Sequence, residues 1–153
     1  MPCVRQDLPV AGSRWGATPR QSVQLECERR GDLAVVRGCR ALLRGEDVDP
    51  EFVLALGGPP ARWAVTGDAP GPEYWTRVWA ARGLLWIWND EAVPELAAAL
   101  KDPAWRVRET GAKVVGRHRV DDLLEPVAAL RNDPVQRVAA AASRAIIHLG
   151  SPR

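Results

Sequence analysis

DEAVPELAAALKDPAWRVRETGAKVVGRH (residues 90–118) and DDLLEPVAALRNDPVQRVAAAASRAIIHL (residues 121–149) are two versions of one pattern. Asp102-Pro103 and Asp133-Pro134 lie thirty-one residues apart. Each follows a short apolar run, Leu96 to Leu100 or Val127 to Leu130, and each opens a second run with the same spacing of apolar positions. A period of this length marks a stacked two-helix repeat, in which each unit buries its apolar face only against its neighbours.

The second run of each copy has a helical stripe. Val107, Gly111, Val114, Val115 and His118 are matched by Val138, Ala142, Ala145, Ile146 and Leu149. A further step of thirty-one residues back reaches Thr76, Ala80, Gly83, Leu84 and Ile87. Glu73 to Trp88 therefore reads as the inner helix of an earlier, degenerate repeat. Ala80, Gly111 and Ala142 share one position, where a larger side chain would overpack the stack at a cost of about 1–3 kcal/mol.

These two copies resemble the HEAT-like repeats of the phycobilisome-lyase type, within the armadillo-like α-solenoids. The resemblance rests on Val93-Pro94 near the first helix start, the Leu100-Lys101-Asp102-Pro103 turn, and Arg108 directly after Val107. The second copy departs from it with Ala139 after Val138 and an extra turn residue, Asn132. The resemblance implies an all-α, right-handed superhelix of about three helix pairs with an irregular N-terminal cap. It is nearly silent on function, because fold does not fix function.

Elsewhere the chain divides into a flexible arm over residues 1–20, rich in Pro and Gly, and a helical domain over 21–150. The best repeats are 90–118 and 121–149, and 31–88 is the degenerate one. Trp15 is expected to tack the arm to the body. Short helices are expected over Gln21 to Arg30, from Asp32 as N-cap to Gly45, and after Asp49-Pro50, whose chemistry is that of a cap followed by an N1 proline. Leu33, Val36, Cys39 or Arg40, and Leu43 form the second helix's stripe, widened by Val35 and Leu42. Gly57-Gly58-Pro59-Pro60 stops the third, and residues 57–72 form a loop with Trp63 and Val65. Asn89, Asp102, Asp121 and Asp133 are expected as caps. Leu123, Leu124, Val127 and Leu130 are expected to face inward, and Pro126 to kink or delay its helix.

The chain's 153 residues suffice for one core. A net charge of +2 is too small to imply nucleic acid by itself. Cys3, Cys27 and Cys39 are odd in number and have no CxxC spacing, so neither a disulfide framework nor a zinc site is suggested. The start has no signal-peptide h-region, and Leu84 to Trp88 is too short to span a bilayer. A cytoplasmic protein without a cofactor is the default expectation.

Charge separates the two helix sets. Residues 90–102 and 121–133 each have a net charge of −3, residues 103–119 of +4 and residues 134–149 of +2. In a solenoid the first helices line the convex side and the second helices the concave side, so an acidic back and a basic groove are expected. One step before each core stripe runs a second stripe. It reads Trp75, Trp79, Arg82, Trp86, then Arg106, Thr110, Lys113, Arg117, then Arg137, Ala141, Arg144, His148. Trp and Arg are enriched at binding hot spots. The functional reading is a non-catalytic interaction module that binds an acidic partner segment. Its candidate contacts are Arg82, Arg106, Arg108, Lys113, Arg117, Arg137, Arg144, Trp75, Trp79 and Trp86. Against it stands burial of the three tryptophans beneath residues 31–65, the more ordinary fate of such a stripe. Trp105 and Trp88 are expected to cover junctions between repeats.

Two alternatives come from the resemblance. Some HEAT-like repeats form alkyl-base DNA glycosylases with Trp, Arg and a catalytic Asp in the groove. Here Glu109 is the only acid inside a concave helix, and so short a stack would touch little duplex. Bilin attachment would need a reactive thiol, for which the three cysteines give no support. His118 lies on a core stripe and reads as a satisfied buried histidine. His148 is alone, and no nucleophile or base stands at a spacing that demands catalysis. Open end faces allow self-association.

Overall fold

The computed structural model describes residues 17–66 and 73–152. Among these the chain is helices and turns, with no strand. Trp15, Cys3 and most of the expected arm lie outside the described residues.

The cap begins with α1, Pro19–Arg30. Thr18 and Gln21 form a reciprocal capping box, and Pro19 follows the cap. Pro19 and Arg20 are thus helical, and Thr18 is their cap. α2 spans Asp32–Leu43. Asp32 is its first helical residue and not its cap; Gly31 takes that place at φ 91°, a conformation that a side chain resists. The buried face of α2 is Val35, Val36, Cys39 and Leu42, while Leu33 is left exposed. α2 packs against both α1 and the later helix α5 (Tyr74–Gly83), so its buried face is centred beside the expected stripe. α3, Pro50–Gly57, is capped by Asp49, which accepts from the Glu51 amide at 3.0 Å. Its Phe52, Val53 and Leu56 are buried. α4, Trp63–Thr66, is a single turn.

α5 runs over Tyr74–Gly83, shorter than the Glu73 to Trp88 expected. Beyond Gly83 the chain winds more tightly, the Leu85 and Trp86 amides donating three residues back to Arg82 and Gly83, and the Leu84 carbonyl accepts from His118 Nε2 at 2.7 Å. α6, Val93–Ala99, follows a 3-10 turn over Asp90–Ala92 whose start Asn89 caps at 2.9 Å. α8, Leu124–Ala129, follows a similar turn over Asp121–Leu123. Pro126 therefore falls in the first turn of the α-helical part, where it removes no helical hydrogen bond. The tighter winding also turns Leu124 outward, 46% exposed, against the expectation that it faces inward.

α7 is Trp105–His118 and α9 is Gln136–Gly150. Asp102 and Asp133 do not stand at their N-cap positions, which belong to Ala104 and Val135. Each aspartate accepts from the amide two residues on, at 2.8 Å from Ala104 and 2.9 Å from Val135, closing an Asx turn that leads into the helix.

The pairs α2 with α5, α6 with α7, and α8 with α9 stack so that α5, α7 and α9 form one row. Val107, Val114, Val115, Leu96, Val127 and Val138 are fully buried between the layers. Ala80, Gly111 and Ala142 are buried too, as their small size implied. A Cβ on Gly111 would meet Leu100 Cδ2 at 3.3 Å. The tightest approach in the row is at Gly116, where a Cβ would stand 3.0 Å from the Ala145 Cα. Thirty-one residues later the same position on α9 is Ile147, 66% exposed.

Two ion pairs join successive units. Arg77 on α5 reaches Asp102 at 2.7 and 3.1 Å, and Arg108 on α7 reaches Asp133 at 2.8 and 3.1 Å. Both pairs are forked, and both arginines follow a core-stripe residue. Ala139 stands at the third such position.

The expected acidic back is partly neutralised. Glu91 pairs with Arg37 and Arg40, and Glu95 with Arg40 and Arg44, so the acids of the first outer helix face the arginines of α2. Burial alone would raise the Glu95 carboxyl, but its two guanidinium partners outweigh that and hold it below the ordinary range. No helix among the described residues is long and apolar enough to cross a membrane.

Candidate functional site: a cationic hollow across α7 and α9

The open side of the α5–α7–α9 row contains a hollow of 480 Å³. Its floor is made of Ala112, Gly116, Ala141 and Ala145, small residues that exist there because the two helices must approach closely. Its walls are Trp86, Lys113, Arg117, Arg119, Arg144 and His148, with no carboxylate among the lining residues. The second stripe explains the grouping. Lys113 and Arg144 are repeat equivalents, as are Trp86, Arg117 and His148. Their shared register on successive helices places them side by side.

Trp86 lies after α5, in the turn that shortens that helix. The Arg117 guanidinium sits 4.9 Å from its ring centroid and that of Arg20 sits 5.6 Å away. Such contacts steady a cation without removing its charge. The buried indole Nε1–H of Trp86 has no acceptor among the described residues. Arg117 and Arg144 have no carboxylate partner among the described residues, whereas Lys113 has Glu109 at 3.7 Å. Arg119, held at φ 51° as the cap of α7, donates to the Ser151 carbonyl at 2.9 Å and stands at the edge.

The other sequence-derived candidates fall elsewhere. Arg106 lies over the rings of Trp105 and Trp75 at 4.4 and 5.4 Å, and Arg137 lies over Trp105 at 5.3 Å. Arg137 also donates to Glu109 at 3.0 Å. Trp105 thus bridges α7 to α9 beneath two guanidiniums, and Glu109, the one acid of α7, is buried between Arg137 and Lys113. Trp75 is half-buried and stacks on Trp79 at 6.3 Å. Three candidates are held by neighbours within the chain, Trp79 by burial and Arg108 and Arg82 by their hydrogen-bond partners. Trp79 is 5% exposed against Gly57, and Arg108 forms the Asp133 clip. Arg82 donates to the Leu56 carbonyl at 2.7 Å. Burial lowers the pKa of Arg82, which stays charged. Of the three tryptophans read as one stripe, only Trp79 is fully covered, by the cap.

Arg119, Arg20, Ala112, Gly116 and Ala145 are not among the residues that the second stripe singles out. Arg119 follows the last turn of α7, outside the stripe's period. Arg20 comes from a helix with no repeat equivalent. The floor could have been read from Ala141 and Gly116, which stand beside cationic positions in both copies.

His118 is half-buried, stacked on Trp88 at 5.3 Å with planes 13° apart. Its Nε2–H donates to Leu84, and burial depresses its pKa, so it is neutral near pH 7. Cys27 and Cys39 are free thiols; burial pushes Cys27 up to about 11 and Cys39 to about 12. Among the described residues no three His, Cys, Asp or Glu side chains gather as metal ligands would.

The HEAT-repeat family model matches residues 69–147, just over half of the chain. The match runs from α5, across the two clips, into α9. The chain is a HEAT-repeat protein. HEAT repeats generally mediate protein–protein interaction, and all the residues lining this chain's hollow except His148 lie within the matched range. Neither the curated proteins nor the solved structures contain a match to it. The HEAT stack places α5, α7 and α9 in a row, which is what sets equivalent side chains of successive repeats next to each other.

Proposed function

We propose that the chain is a non-catalytic protein-interaction module that receives an acidic segment of a partner protein in the hollow across α7 and α9. One observation supports this most. Lys113, Arg117 and Arg144 line a single hollow beside Trp86 without a carboxylate in its wall. Arg117 and Arg144 lack a carboxylate partner among the described residues, so they repel one another, and an anionic partner removes that cost. The acidic chemistry of the partner is argued from this charge pattern, and the non-catalytic part of the reading is supported by the chemistry of the described titratable groups. His118 is tied to Leu84, and a thiol with a pKa near 11 or 12 is a poor nucleophile. Glu109 is held by two cations, which disfavours the glycosylase-like reading.

The test is titration with a poly-glutamate peptide at low salt. The wild-type chain is compared with Lys113→Glu/Arg117→Glu/Arg144→Glu, and with Arg131→Glu as an exposed control outside the hollow. The triple reversal should abolish binding, the control should leave it within twofold, and affinity should fall with salt. Equal binding by wild type and triple variant would end this reading.

A further inference from the structure

The cations of the second stripe are not spread evenly, and that selects among anionic partners. Six positions along α7 and α9 could present charge to an extended acidic chain: Arg106, Lys113, Arg117, Arg137, Arg144 and His148. Arg137 is paired with Glu109, and Arg106, over Trp105 and Trp75, does not line the hollow. What is left converges on one 480 Å³ hollow, where Arg117 and Arg144 lack a carboxylate partner among the described residues and Lys113 stands beside them. Arg119 adds a further positive charge at the edge.

A run of glutamates spreads its charge over many ångströms and offers about one negative charge at any one point. A phosphate monoester concentrates about −1.5 to −2 and three strong acceptor oxygens in one group at pH 7. Guanidinium forks match that group geometrically, and a lysine adds a point charge. The floor of alanine and glycine leaves room for a compact tetrahedral group between the helices. Arg117 is steadied in place on Trp86, so little rotamer freedom is lost on binding.

We propose that the hollow is a phosphate-reading site, and that its ligand is a phosphorylated serine or threonine in the partner segment. This deepens the acidic-partner reading and rests on it. Lys113, Arg117 and Arg144 grip the phosphate, with Arg117 held in place by the Trp86 ring.

The experiment uses the full chain and a neutral host pentapeptide whose central residue is phosphoserine, glutamate or serine, followed by calorimetry or by the Trp86 indole N–H resonance. Phosphoserine should bind at least tenfold more tightly than glutamate, and serine should not bind measurably. Arg117→Gln and Arg144→Gln should each remove most of the phosphoserine preference, and Arg144→Lys should restore part of it. Both glutamines keep a helix-favouring residue and remove the guanidinium, so thermal unfolding close to wild type separates lost recognition from lost fold.

Phosphoserine and glutamate binding alike, with poly-glutamate still captured, would overturn the phosphate site and leave the acidic-partner reading standing. No binding of either pentapeptide or of poly-glutamate would end both. Inorganic phosphate binding as tightly as the phosphopeptide would assign the site to a free phosphate and overturn a peptide ligand. An oligonucleotide bound more tightly at equal phosphate concentration would overturn it in favour of a nucleic-acid backbone.

Discussion

Arg108 and Asp133 stand twenty-five residues apart in the chain and meet in a forked ion pair, and Arg77 and Asp102 do the same one repeat earlier. The Arg108–Asp133 pair is the better shielded, with side-chain exposures of 15% and 5%. Each aspartate also closes the Asx turn ahead of the following inner helix, so one carboxylate fixes both the turn and the spacing of two units. Replacing Arg108 by Ala strands a nearly buried carboxylate and should cost about 2–4 kcal/mol. Arg108→Lys keeps the charge without the fork and should recover less than half. Urea unfolding measures both, and a double-mutant cycle with Asp133→Asn should return a coupling of about 1 kcal/mol or more.

The same carboxylate gives an acid signature. Hydrogen bonds from Arg108 hold the Asp133 carboxyl below its ordinary value of 3.8. A group lowered in the folded state stabilises above its unfolded pKa and loses that contribution as pH falls through the folded one. Wild type should therefore lose stability below pH 4 more steeply than Arg108→Ala. Equal slopes for the two proteins would contradict the role given to this pair.

His118 gives a second pH effect in a different window. Its folded pKa lies below the ordinary 6.5, through burial first and Arg117 second. The unfolded chain then binds more protons, so the contribution is complete above pH 6.5 and fades on acidification towards the folded pKa. Melting temperatures should fall between pH 7.5 and 5.5 in wild type. In His118→Phe the fall should be smaller, with a lower starting point because the Leu84 carbonyl loses its donor.

Two helical glycines should respond oppositely to alanine. Helix propensity favours each substitution by about 1 kcal/mol. At Gly111 the neighbours are side chains, Leu100 Cδ2 and Ala99 Cβ at 3.3 and 3.4 Å, which can shift by tenths of an ångström. At Gly116 the nearest atom is the Ala145 Cα at 3.0 Å, part of a packed helix. Gly111→Ala should be neutral within about 1 kcal/mol, and Gly116→Ala should destabilise by about 1–3 kcal/mol. Calorimetric melting of the pair decides it.

The thiols should be sluggish. With Cys39 pushed up to about 12 and Cys27 to about 11, iodoacetamide at pH 8 should leave Cys39 unlabelled over hours and modify Cys27 slowly. Both should react within minutes in urea. Mass spectrometry of the digested chain reads the result.

What could be read in the residues depended on whether a local rule decided the outcome. The thirty-one-residue period and the Val107 and Val138 stripes are properties of one helix at a time, and both valines are fully buried. Asp49-Pro50 needed only its neighbours and capped as expected. The misplacements each involve a second element. Leu84, just past the end of α5, gives its carbonyl to a histidine thirty-four residues away. Leu124 faces out because a 3-10 turn precedes it. Glu91 and Glu95 belong to an outer helix whose neighbour, α2, supplies arginines that no repeat pattern announces. The stripe of tryptophans and cations was visible as a register. Which of its members stay free depended on Trp105 and Glu109, whose geometry is set by packing between repeats.

Ile147 bears on how this architecture could be lengthened. A unit duplicated by recombination and joined behind α9 would have to seat its own inner helix against a branched side chain where α7 offers α9 only a hydrogen atom. It would also find Ala139 where a guanidinium should bridge to its turn. Growth from that edge therefore needs two coordinated replacements, Ile147→Gly and Ala139→Arg, before a copied module gains anything by docking there.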